Sequence, residues 1–186
     1  MNATTEWGED HFIAGDVALD FANTVYRRWP ETGPDLFTGP EALGTWLTHA
    51  DLLLTGIWTS VITATELEQA RALREIVWRV FDAQRDGHTI PAEAFADVLD
   101  TARRGITRVT MNADGSMGSH DVDGALTTLA LRVTRLILDP PTAGVRACDR
   151  CGWFFIDSSR GRRRRWCSMK ICGNQAKAAR YRSTRP

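Results

Sequence analysis

All four cysteines of this chain lie between positions 148 and 172, and their spacing constrains the fold more than any other feature. They come as two pairs, Cys148-x2-Cys151 and Cys167-x4-Cys172, with fifteen residues between the pairs. Four thiolates so arranged make a closed tetrahedral shell for Zn(II), with no position left for water or substrate, so the site builds structure and does no chemistry. Two disulfides, or four unrelated buried thiols, are the competing readings. Disulfides need an oxidising compartment, and nothing marks secretion: Met1 to Gly15 has three acidic residues and no apolar run of signal-peptide type. A segment this short and charged holds little core, so metal binding is expected to supply much of its folding free energy.

The charge distribution is as uneven as the cysteines. The formal net charge is zero, but residues 146–186 hold twelve Lys and Arg against Asp149 and Asp157, a formal +10. Residues 1–145 hold eleven Lys and Arg against twenty-one Asp and Glu, a formal −10. Four thiolates around Zn(II) lower the tail to about +8. A basic arm on an acidic body points to a tail that meets a polyanion. At 186 residues, 43% apolar with seven tryptophans, the chain has material for one cored domain plus a small module. No apolar run approaches the roughly 18 residues of a membrane span. The best candidate, Leu126–Leu138, is interrupted by Arg132 and Arg135. The expected location is the cytoplasm.

Two stretches carry a family resemblance. Cys148-x-x-Cys151, then Trp166-Cys167-Ser168-Met169-x-x-Cys172-Gly173-Asn174, then Lys177 and a basic end, resemble the CGNR zinc finger. Where that family continues Cys-Gly-Asn with Arg, this chain has Gln175, a departure that leaves the four ligands untouched. Near the other end, Leu19-Asp20-Phe21-Ala22-Asn23-Thr24 resembles the LDFxNT stretch of the ABATE domain. That domain precedes the CGNR finger in a family of bacterial stress-induced transcription regulators. The resemblance implies a DNA-binding regulator whose N-terminal domain senses a small molecule or a protein.

Periodicity supplies the fold class: mainly α with one small β-hairpin in an N-terminal domain (1–139), a linker (140–145) and a C-terminal four-cysteine zinc-finger module (146–186). Residues 1–10 are polar and read as a frayed end. A helix from Asp16 with Ala18, Phe21, Ala22 and Val25 on one face is expected to run to Trp29-Pro30. On its other face Asp20, Asn23 and Thr24 read either as hooks in a ligand pocket or as a packing network. The network is favoured, with Asp20 paired to Thr24 or Arg27. Pro40 opens a helix whose stripe is Leu43, Trp46, Leu47, Ala50, Leu53 and Leu54. Thr65-x-x-Glu68 reads as a capping box, with Leu67, Ala70, Leu73, Val77, Val80 and Phe81 inward until Gly87. A further helix runs from Pro91 to Gly105 with Phe95, Val98, Leu99 and Ala102 apolar. Ile106–Met111 and Ser116–His120 flank an Asp114-Gly115 turn as a hairpin. A last body helix starts at Asp121 or Asp123 and breaks at Asp139-Pro140-Pro141.

Cysteines five residues apart lie about 140° apart around a regular helix. Cys167 is therefore expected in a turn and Cys172 on the first turn of the helix that follows. Trp153, Phe154, Phe155 and Trp166 are expected to cover the metal. Arg162, Arg163, Arg164, Arg165, Lys170, Lys177, Arg180 and Arg182 are the candidate phosphate contacts. Asn174 and Gln175 are the candidate base readers, since an amide can bond adenine at N6 and N7. For Asn174 a structural role beside Gly173 is an equal alternative. RNA binding and protein–protein docking of the basic tail are the rival functions. His11, His49, His88 and His120 are scattered, and no phosphate loop or nucleophile motif occurs, so an enzyme is not expected. One finger presents little surface, so a dimer reading two half-sites is expected.

Overall fold

The computed structural model describes residues 6–54 and 61–183. Its longest element, α3 (Ala64–Arg85), turns Leu67, Ala70, Leu73, Val77, Val80 and Phe81 inward, together with Arg74. The capping box, Thr63-x-x-Glu66, lies two residues earlier than the expected Thr65-x-x-Glu68. Thr63 Oγ1 accepts from the Glu66 N–H at 3.2 Å, and Glu66 accepts from the Thr63 N–H at 2.7 Å. Glu68 is instead held by Arg71 at 2.6 Å. α2 (Pro40–His49) has proline at its start and buries Leu43, Trp46 and Leu47. It ends before Leu52 and Leu53, which are buried from an extended segment.

α4 (Ala92–Gly105) and α5 (Val122–Leu138) pack closely. A Cβ on Gly105 would stand 2.6 Å from the Asp123 carbonyl oxygen, so only glycine fits this crossing. The buried face of α4 is accordingly Ala94, Val98, Thr101 and Ala102, while Phe95 is half-buried and Leu99 exposed. The small residues set the approach, and the bulky ones are rotated off it. Asp121 caps α5, accepting from the Gly124 N–H at 2.9 Å. Between these helices β1 (Val109–Met111) pairs antiparallel with β2 (Met117–Ser119), and Ile106–Arg108 forms a 3-10 turn in place of strand.

The largest departure is at the N-terminus. α1 (Val17–Ala22) stops seven residues short of Trp29. From Thr24 the chain runs extended and returns on itself: Tyr26 N–H donates to Pro34 O at 2.9 Å and Leu36 N–H to Thr24 O at 3.1 Å. Nor is the start frayed throughout. Trp7 is buried and its indole donates to Ala42 O at 3.0 Å, whereas residues 1–5 lie outside the described residues.

A second antiparallel hairpin, β3 (Val145–Ala147) with β4 (Phe154–Ile156), carries the first cysteine pair in its connection. It lies against α1 and α3. Phe154 and Phe155 are fully buried, and Phe154 meets Phe81 of α3 with ring centroids 5.8 Å apart. These two rings were expected over the metal. The body's core takes Phe154, because β4 alternates into a wall the body already supplies. After the second cysteine pair comes α6 (Asn174–Ser183). Among the described residues no helix is long and apolar enough to cross a membrane.

Candidate metal centre and basic surface

The sulfurs of Cys148, Cys151, Cys167 and Cys172 lie within 4.8 Å of one another. Cys151 Sγ is 3.6 Å from Cys167 Sγ, which is 3.6 Å from Cys172 Sγ. A tetrahedron with Zn–S near 2.3 Å has edges of about 3.8 Å, so these thiols already have the spacing of a zinc shell. The mutual hydrogen bonds of the cluster draw the Cys148 thiol far below its ordinary range and push Cys151 and Cys167 up. Sulfurs this close cannot all ionise by themselves, whereas a cation among them would let all four bind as thiolates, which select a soft ion such as zinc.

Local backbone explains how residues five apart converge. Met169–Gly173 form a π-helical turn, closed by Gly173 N–H donating to Ser168 O at 2.9 Å. The wider turn brings Cys172 round toward Cys167, where a regular helix would carry it away. On the other side Gly152, at φ +75°, completes the Cys148–Cys151 knuckle, and a side chain there would collide with the Trp29 indole.

The knuckle is fastened to the body. Arg28 N–H donates to Cys151 O at 2.6 Å, and the Trp153 indole donates to Val25 O at 2.8 Å. Asn23 clamps β4 from both sides: its amide nitrogen donates to Phe154 O at 2.9 Å, and its oxygen accepts from Phe154 N–H at 2.8 Å. Its neighbours in the motif serve the same region. The Arg74 guanidinium donates to Thr24 O and Oγ1, each at 3.0 Å, and pairs with Asp35. Asp20 accepts from Ala14 N–H at 2.9 Å, so neither Thr24 nor Arg27 is its partner. Burial pushes the Asp20 carboxyl up to about 7 against the pull of the Ala14 and Ile13 N–H groups.

The arginine run is shaped by a buried carboxylate. Asp157 accepts from Ser159 Oγ at 2.6 Å, Ser159 N–H at 3.0 Å and Arg164 N–H at 2.8 Å, and lies 3.3 Å from Arg146. Led by the Ser159 hydroxyl, these donors hold its carboxyl down at about 2. The arginines then separate by role. Arg164, expected among the phosphate contacts, stacks 4.7 Å over Phe155 and donates to Cys167 O, so it braces the metal loop. Arg165 pairs with Asp149 at 2.6 Å, and Lys170 with Asp10 at 3.2 Å. Arg162, Arg163, Lys177 and Arg182 are exposed, as is Arg160, and among the described residues none of these five is in an ion pair. Asn174 is exposed and its amide donates to Lys170 O at 3.1 Å; Gln175 and Arg180 are exposed beside it.

Comparison with known families agrees with this arrangement at both ends. A family described as "ABATE: Putative stress-induced transcription regulator" matches residues 15–140, and the CGNR zinc finger matches residues 145–185. The chain belongs to the ABATE family. No curated protein matches it. The four-cysteine cluster of this ABATE protein is the ligand set of a structural zinc ion, in keeping with the CGNR match and the sulfur spacing. Sequence reasoning missed Asp157, Arg146 and Arg28. An aspartate inside an arginine-rich segment was a signal for the first; nothing local marks Arg28, whose partner Asp82 is 54 residues away.

Proposed function

We propose that this ABATE protein is a transcription regulator that binds duplex DNA through the surface formed by the Arg160–Arg163 loop and α6. The observation that carries this reading is the state of α6. Among its ten residues none is buried, and it carries Lys177, Arg180 and Arg182. A ten-residue helix with no packed face is marginal in water, so its stabilisation is expected to come from a partner. Arg160, Arg162 and Arg163 supply the complementary cations for phosphate, and their forked guanidinium groups suit it. Asn174 and Gln175, on the first turn of α6, are the groups that would read base edges. A dimer spanning two half-sites would supply the specificity that one helix lacks.

Fluorescence anisotropy of labelled duplex across a salt series tests the proposal. Arg162→Glu with Arg163→Glu is expected to weaken binding to every sequence alike and to flatten the salt slope by about two. Competition by structured RNA at equal potency would refute the DNA assignment, and an unchanged slope would refute the surface.

A further inference from the structure

A cleft of about 580 Å³ opens between the body and the finger. That is the size of a small-molecule site, roughly 300–1,000 Å³. Its walls come from both parts of the chain: Tyr26, Trp29 and Arg27 from the body, Arg150, Trp153 and Gln175 from the finger. Its floor includes Cys151, Cys167 and Cys172. Tyr26 is 64% exposed and Trp29 45% exposed, so two large aromatic side chains converge on this opening without being covered. Trp153 is held in place by its bond to Val25 O.

The polar groups here are not balanced. Arg27 gives one nitrogen to Glu31, and its Nε–H is buried with no acceptor among the described residues. Arg150 is exposed and in no ion pair among the described residues, whereas the acid in the wall, Asp10, is already met by Lys170. A guanidinium holds a carboxylate through charge-assisted hydrogen bonds, so an acid is the group that the two arginines lining this cleft would take. Flat aromatic walls select a planar ring. The zinc thiolates would meet the electropositive ring edge, and four ligands leave the metal no position for a fifth.

We infer that this cleft binds a small planar aromatic carboxylate, its ring against Tyr26, Trp29 and Trp153 and its acid at Arg27 and Arg150. The regulatory consequence rests on the DNA-binding reading: Gln175 belongs both to the cleft and to the first turn of α6, so occupancy bears directly on the basic helix. The site itself does not depend on that reading.

The test uses the full zinc-loaded chain and three probes of one shape: 2-naphthoate, 2-naphthamide and a 2-naphthyl trimethylammonium salt. Tryptophan fluorescence reads binding. The carboxylate is expected to bind at least tenfold tighter than the cation, with the amide between. Tyr26→Ala and Arg150→Ala, both at exposed positions, are each expected to weaken the carboxylate several-fold while zinc content and melting temperature stay unchanged. No saturable binding, a preference for the cation, or indifference to both variants would overturn the inference. A parallel DNA titration with and without 2-naphthoate separates the two readings: binding of the probe without any DNA binding would remove the regulator and leave the cleft.

Discussion

The two halves of the zinc finger share one metal and little else. Residues 145–157 put Phe154, Phe155 and Asp157 out of solvent and are bonded to the body through Asn23, Val25 and Arg28. Residues 174–183 bury nothing. The first half is part of the body's core; the second is presented to the outside and depends on four sulfurs to hold it there. A module that counts as a unit in sequence is therefore divided in space, with the cysteine pairs as the join.

Removing the metal tests that division most severely. A structural zinc site is worth on the order of 10 kcal/mol in isolated finger peptides. Chelation, or Cys167→Ser, should abolish DNA binding and the helical signal of α6. Because the hairpin shares the core, the body should also melt at lower temperature; a body melt unmoved by chelation would show two independent units.

Asp20 gives a pH test on the body's side of the seam. Its carboxyl is raised from 3.8 to about 7, chiefly by burial. The folded state thus holds a proton that the unfolded state releases above pH 4. The associated stability is complete below pH about 4 and is lost as pH rises to about 7, a span of at most about 4 kcal/mol. Asp20→Asn keeps the acceptor for Ala14 N–H and should flatten that slope, as followed by urea denaturation at a series of pH values.

Asn23→Ala leaves both backbone groups of Phe154 without partners. We expect a loss of about 2–4 kcal/mol in urea denaturation, with zinc content retained. Unchanged stability would mean the clamp is idle. The sharpest contrast needs the smallest changes. Arg164→Ala should cost about 1–2 kcal/mol through its ring and carbonyl contacts. Arg163→Ala should alter stability by less than about 0.5 kcal/mol and act only on DNA affinity. Equal effects of the two would erase the distinction between bracing and exposed arginines.

What the sequence made legible follows the same line. The α3 stripe from Leu67 to Phe81 and the four sulfurs rest on local spacing, and the structure has them together as expected; of the two starts open for α5, Asp121 or Asp123, it has Asp121 as the cap. The end of α1 was not legible, because Asn23 leaves the helix to bond Phe154, 131 residues away. Phe154 and Phe155 are apolar beside a metal knuckle, and only the tertiary fold decides which side of the hairpin meets the body. Among neighbouring arginines, composition is equal while environment is not. Arg164 turns inward because Phe155 and Cys167 O are there to receive it, whereas Arg163 is exposed and meets no such partner among the described residues.

The length of the Asn23 clamp has a consequence for synthesis. Its two partners leave the ribosome on the order of ten seconds apart at ordinary elongation rates. Until β4 emerges, the Asn23 amide has neither of its partners, although α1 is among the first parts of the core to be made. The Asn23 amide, one of the first groups made, is thus among the last to be satisfied, when the metal-binding tail arrives.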